Sequence, residues 1–275
     1  MFILKISGKQ SLYAIFPFHL PDGLLRAEKF QLMFIDRIID WIKNHKFTVS
    51  NPPIISMEGL FSLLLLVLLS FVAVLFHLIR IFFNAPVDFS MDWNLFLSWI
   101  PLITAFLANN LTKRYGQIPF ILIILSLIWL AFFPNAPYMV TDLAHLTVNY
   151  ERDLTWHDTI MLFFYAEVSL FNGLVSLYWI HQAWRHVFSR SVSTYLFLAS
   201  LPLAGFGVYL GRVKRMNSWD VINAPGQIPE QLWQSVTDRT ALVFSLEIGI
   251  LLGILYLVLW AIIRFRIRYT KSSLK

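Results

Sequence analysis

Apolar residues fall in six long runs, at 59–82, 93–111, 118–133, 160–181, 195–210 and 241–263. Each comes close to the roughly 20 residues that cross the hydrocarbon core of a bilayer as a helix, so the pattern predicts six spans. The third and fifth runs are short, and the fifth holds Pro202, Gly205 and Gly207, so a kink or an incomplete span is expected in one of them. Ahead of the first run, 24–42 sets Leu24, Leu25, Phe34, Ile38, Ile39, Trp41 and Ile42 against Arg26, Glu28, Lys29, Asp36, Arg37 and Asp40, the pattern of an amphipathic helix. That helix either lies on the membrane face or packs on the bundle. Asn51-Pro52-Pro53 forms a hinge into the first span. The fold class expected is an all-α, polytopic membrane bundle: an N-terminal region over 1–57, six spans over 58–265 and a basic tail over 266–275.

Composition agrees with the pattern. The chain is 57% hydrophobic and 14% charged, more apolar than a soluble domain of this length exposes. It has no cysteine, so disulfides, thiolate metal sites and thiol nucleophiles are excluded, and a zinc site would need His and carboxylates alone. No charged start with a short apolar run and a small-residue cleavage site opens the sequence, so no cleaved signal peptide is expected. Met33 and Met57 are alternative starts.

Charge orients the spans. Lys and Arg gather on the cytoplasmic side, and placing both termini there puts sixteen of the 22 cations inside. Arg80 and Arg152 are scattered, while Arg212, Lys214, Arg215 and Arg239 share one external connection. The net charge of +6 is therefore mostly a topological signal; it calls for anionic lipid rather than nucleic acid as partner.

Asn-Ala-Pro recurs at 84–86, 135–137 and 223–225, each time in an external connection. Helix termination explains the repeats without an internal duplication. The second lies in "FFPNAPYMVTDLAHL", 132–146, where Pro134 and Pro137 are expected to stop the third helix and Thr141-Asp142 to cap a short one. Asp142 and His145, at i and i+3, share a face of that helix. They are either a cap and an interfacial residue, or a carboxylate orienting an imidazole for acid–base work or metal binding.

Two carboxylates support the second reading. Glu167 and Glu247 lie six or seven residues inside their spans, at a common depth of about 10 Å below the outer boundary. A carboxylate in hydrocarbon costs roughly 2.5–3.5 kcal/mol on insertion scales, so it takes a partner, faces the interior or is protonated. Ser245, Gly249 and Gly253 form a small-residue stripe for close packing on the sixth helix, and Ser169, Gly173 and Ser176 form another on the fourth, with both glutamates on the opposite faces. Asn172, near mid-membrane, is expected to hydrogen-bond between helices.

The connection "GRVKRMNSWDVINAP", 211–225, is the second constellation. Arg212 and Arg215 on one helical face would suit a phosphate or carboxylate. Asn217, Ser218 and Asp220 could cap a turn, and Trp219 suits the headgroup layer. The alternative is a loop resting on the membrane, its cations matched by Asp220 and Glu230. His157-Asp158 is a weaker signal, since an Asp is favourable at any helix start.

The residues of 132–146, "WHD" at 156–158 and "GVYLGRVKRMNSWDV" at 207–221 together resemble the DUF1361 family of bacterial membrane proteins, over about 60–263. The resemblance implies a protein of the bacterial cytoplasmic membrane and pairs the two polar segments as one feature. It implies no activity, substrate, cofactor or catalytic residue.

Three function classes follow. A membrane enzyme would use Asp142, His145, Glu167 and Glu247 as catalytic candidates, with Asn135, Tyr138, Arg212, Arg215, Asn217, Trp219 and Asp220 binding an anionic headgroup or lipid-linked phosphate. Nucleophile elbow, HExxH and phosphate-loop motifs are absent from the chain. A proton- or ion-coupled transporter would use Glu167 and Glu247. A binding or assembly factor would present the outer loops to a partner. In every case the segments 135–145 and 212–220 are expected to meet over the two glutamates.

Overall fold

The computed structural model describes residues 57–82, 90–147, 155–216, 226 and 228–273. Of the chain's two compact units, Met1–Phe47 and Thr48–Lys275, all of these fall in the second. The amphipathic stretch at 24–42, the hinge at 51–53 and the residues Asn217, Trp219 and Asp220 lie outside the described residues.

The described residues are helical throughout. In order they form α1 (Met57–Phe82), α2 (Ser90–Tyr115), α3 (Pro119–Phe132), the single turn α4 (Asn135–Tyr138), a 3-10 helix (Met139–Thr147), α5 (Thr155–Val187), α6 (Arg190–Arg212), α7 (Ile228–Val236) and α8 (Arg239–Ser273). Six stretches are long and apolar enough to cross a membrane: Gly59–Phe82, Met91–Tyr115, Pro119–Ala144, Trp156–Val187, Arg190–Arg212 and Arg239–Ile263. The protein is a multi-pass membrane bundle. Consecutive spans alternate in direction, so α1 begins and α8 ends at one end of the bundle. We call this the terminal end, and the other the far end.

α2 and α5 form the centre and share the most extensive helix pairing, while α1 and α3 are the least buried spans. Hydrophobic burial does not discriminate between helices already in lipid, so small residues and interhelical hydrogen bonds must. At mid-membrane Asn172 donates to Ser98 Oγ at 2.9 Å, tying α5 to α2. Trp129 of α3 is fully buried, donates to Ser176 Oγ at 3.1 Å and stacks on Phe133 at 4.4 Å.

The small-residue stripe of the last helix packs closely on α6. A Cβ on Gly205 would lie 2.4 Å from the Ser245 carbonyl oxygen, and one on Gly249 would lie 3.1 Å from the Pro202 nitrogen. Pro202 lies inside α6 and leaves the Leu198 carbonyl without its usual helical donor, yet α6 continues past it from Arg190 to Arg212. The fifth apolar run is thus a full 23-residue span.

The regular α-helix ends at Phe132, just before Pro134, as expected. Phe133, Pro134 and Met139 nevertheless keep right-handed helical backbone, so the chain runs on through α4 into the 3-10 helix. Each proline removes an amide donor; Ala136 N–H makes a tighter i−3 bond to the Phe133 carbonyl at 3.1 Å, and Tyr138 N–H returns to the α-helical i−4 bond with the Pro134 carbonyl at 3.1 Å. The α4 turn continues directly as 3-10 helix, with Asp142 inside its first turn and not at a cap position.

Candidate functional site

The segment Asn135–Tyr138 sits close against its neighbours because they present glycines to it. A Cβ on Gly173 of α5 would come within 2.7 Å of Ala136 Cβ, and one on Gly207 of α6 within 2.4 Å of Pro134 Cγ. One turn further along α6, a Cβ on Gly211 would meet the Tyr138 ring at 3.1 Å. The Asn-Ala-Pro-Tyr turn therefore wedges between α5 and α6. Its carbonyls are satisfied from α5: Ser169 Oγ donates to the Ala136 carbonyl at 3.0 Å, with the Asn135 carbonyl at 3.5 Å. The Asn135 side chain turns back to the Phe132 carbonyl at 2.9 Å, so it helps close the turn. Replacing Ser169 by Ala is expected to cost about 0.6–1 kcal/mol, the range for one interhelical hydrogen bond in a membrane, measured as a shift in detergent unfolding.

Above this wedge, Arg212 ends α6 and reaches across to the 3-10 helix. Its Nη2 pairs with Asp142 Oδ1 at 2.8 Å and donates to the Thr141 carbonyl, while its guanidinium lies 5.3 Å from the Tyr138 ring centroid. Asp142 is 8% exposed and Arg212 is 24% exposed, so the pair is largely removed from solvent. One cation is thus held by a carboxylate, a carbonyl and an aromatic face, all from a single stretch of eight residues between Asn135 and Asp142.

Arg215 does not share that face. The helix ends with Met216 N–H bonded to the Leu210 carbonyl at 3.0 Å, a closing turn that needs a left-handed residue just before it, and Arg215 supplies it at φ 55°. Lys214 and Arg215 are both exposed. Glycine is the usual residue at such a position, and any other side chain there costs roughly 1–2 kcal/mol.

The two glutamates lie apart from this clamp. Glu167 is half-buried on the stripe of α5 that carries exposed Ile160, Phe163 and Phe171, and Glu247 is exposed beside Leu246 and Ile250 on α8. Neither makes a hydrogen bond or ion pair among the described residues. The pairing of 135–142 with Arg212 is therefore present without Glu247 beneath it. His145 belongs to the 3-10 helix by its backbone; its side chain lies outside the described residues.

A second polar group at the far end joins His77, Asp92 and Tyr165, which the sequence did not single out, to Arg80 and the weakly signalled His157-Asp158. His77 of α1, 2% exposed, meets Asp92 of α2 through Nδ1 at 2.7 Å, and Tyr165 of α5 donates its hydroxyl to the other carboxylate oxygen. One turn along α1, Arg80 pairs with Asp158 of α5. His157 Nε2 lies 3.0 Å from the Phe76 carbonyl. Met139 of the 3-10 helix packs in one apolar cluster with Tyr165, Ala73 and Leu95, and Leu143 lies against it. At the α6–α8 corner Tyr209 donates to Asp238, which also accepts the Thr240 N–H at 2.8 Å. These two bonds, the Tyr209 one first, hold the Asp238 carboxyl below the usual carboxylate range.

α1, α2, α5, α6 and the 3-10 helix thus each contribute an ionisable or hydrogen-bonding side chain to a pair between elements at the far end. Among the described residues no group of three or more His, Asp and Glu is arranged to hold a metal ion. The fold and this polar end define a multi-pass helical membrane protein whose spans are pinned together at one end by buried charge pairs. The family model described as "Protein of unknown function (DUF1361)" matches residues 93–255, more than half of the chain, and the chain belongs to that family. No curated protein and no solved structure matches it.

Proposed function

We propose that this is a protein of the bacterial cytoplasmic membrane, both termini cytoplasmic, whose extracytoplasmic end binds an anionic lipid headgroup or a lipid-linked phosphate. The observation that carries the reading is Arg215: a cation placed, exposed and at positive φ, where glycine would be cheaper, beside the clamped Arg212. Strain kept at a surface position is a pointer to function. In this orientation Lys214 and Arg215 also lie on the side that topology disfavours for cations. Arg212 is engaged by Asp142 and Thr141, so it sets the shape of the site while Lys214 and Arg215 face the ligand.

The test separates charge from fold. Arg215→Gly removes the cation and relieves the left-handed backbone, so the variant is expected to be as stable as the parent or up to about 1 kcal/mol more stable. Its preference for phosphatidylglycerol or a polyprenyl phosphate over phosphatidylcholine, read by native mass spectrometry, is expected to fall about 5-fold, the weight of one cation near a membrane surface. An unchanged preference in a folded Arg215→Gly, Lys214→Ala protein would refute the reading.

A further inference from the structure

A cleft of about 330 Å³ lies between α3, α5 and α6, with Trp129 and Trp184 at its floor and Leu127, Leu196, Ala199 and Leu203 along its walls. Its polar atoms are turned inward: Trp184 Nε1 donates to Ser126 Oγ at 2.8 Å, and Ser200 Oγ to the Phe197 carbonyl at 2.7 Å. Leu127 and Leu203 are exposed, so the cleft opens sideways out of the bundle. All of its lining except Phe188 lies within spanning segments, where the surrounding medium is hydrocarbon.

Its length and position are informative. From Val192 to Leu203 the lining follows α6 for about 16 Å at 1.5 Å per residue, close to half of the roughly 30 Å hydrocarbon core. The cleft is therefore one leaflet deep, and it begins at the terminal end beside Phe188. The two connections at that level, 110–120 and 181–192, carry Lys113, Arg114, Arg185 and Arg190 and neither Asp nor Glu. A helix, about 10 Å across with its side chains, is too wide for this volume, whereas a single hydrocarbon chain suits it.

We propose that this cleft is a lipid site: it seats one acyl chain of an anionic phospholipid from the leaflet on the terminal side, with the phosphate among Lys113, Arg114, Arg185 and Arg190. The site is separate from the far-end headgroup site and does not depend on it.

The test uses phosphatidylglycerol bearing a diazirine in one acyl chain, in mixed vesicles with phosphatidylcholine, and maps the photolabelled peptides. Label is expected on α3 and α6 along the cleft. Ala199→Phe, which fills a wall, is expected to reduce it at least fivefold, and Val192→Phe at the mouth does the same if the first variant fails to fold. Arg185→Ala and Arg190→Ala are expected to lower the preference for phosphatidylglycerol about fivefold each. Arg215→Gly leaves the cleft label unchanged, which separates this site from the one at the far end. Undiminished labelling in a folded Ala199→Phe protein overturns the proposal. So does a dimer that this substitution converts to monomer with labelling intact, which would assign the cleft to a second copy of the chain.

Discussion

Replacing Arg212 by Ala is expected to lower the stability of the bundle by about 3 kcal/mol, at the lower end of the range for breaking a buried ion pair. The lower end applies because Arg212 keeps 24% exposure and is partly solvated. The change removes the Asp142 partner, the donor to the Thr141 carbonyl and the cation over Tyr138 together. It also leaves the Asp142 carboxylate, only 8% exposed, without that countercharge. Asp142→Ala is the milder change, because the guanidinium left behind still reaches water, the Thr141 carbonyl and the Tyr138 face. Denaturant unfolding of purified protein in mixed micelles, followed by tryptophan fluorescence, checks the order. Asp142→Ala costing as much as Arg212→Ala would mean that the carboxylate is not the group that needs the partner.

Gly205→Leu is expected to have the other large effect. The Cβ alone would fall 2.4 Å from a backbone oxygen and 2.8 Å from the Cα of Ser245, atoms that cannot rotate aside. α6 and α8 would have to separate along the seam that also holds Gly249 against Pro202. Overpacking of a close-fitting interior commonly costs 1–3 kcal/mol, and a backbone-to-backbone clash lies at or beyond the top of that range, about 3 kcal/mol. Gly226, which has nothing within 4 Å of its Cβ position, is the control, and Gly226→Ala is expected to be neutral. Equal expression and unfolding midpoints for Gly205→Leu and the parent would show that α6 and α8 do not pack in this way.

Hydropathy made the spans legible because a bilayer imposes a length and an apolar composition on each helix by itself. Small residues on α5 and α8 likewise announced their packing faces, since only a short side chain lets backbones approach. The path of Pro134 and Pro137 was not legible. Whether the chain turns away after a proline or runs on depends on space beside it, and here that space is supplied by Gly173 and Gly207, 37 and 73 positions from Ala136 and Pro134, the residues they admit. Arg212 and Arg215 read as a helical pair because spacing alone cannot reveal that the helix ends at Arg212 and that Arg215 itself is left-handed.

The His77–Asp92–Tyr165 group was missed for a related reason. Its members are 15 and 73 residues apart, and no local periodicity links them. A signal was available in α1, where His77 and Arg80 sit at i and i+3 within an otherwise apolar span. Ionisable residues inside a membrane helix call for partners by default, and reading Arg80 only as a topology marker passed over that demand. Glu167 and Glu247 met the same criterion and yet face outward, so depth in the membrane identified ionisable positions without saying which of them the bundle encloses.

The central claim is that Asp142 and Arg212 act as one unit joining the extended third span to the end of α6. A double-mutant cycle on Asp142→Ala and Arg212→Ala measures that directly. The structure predicts that the double variant is less destabilised than the sum of the two singles by at least about 1 kcal/mol, within the 0.5–3 kcal/mol seen for side chains in contact. Additivity within about 0.3 kcal/mol would contradict it, since independent sites add and a pair at 2.8 Å cannot be independent.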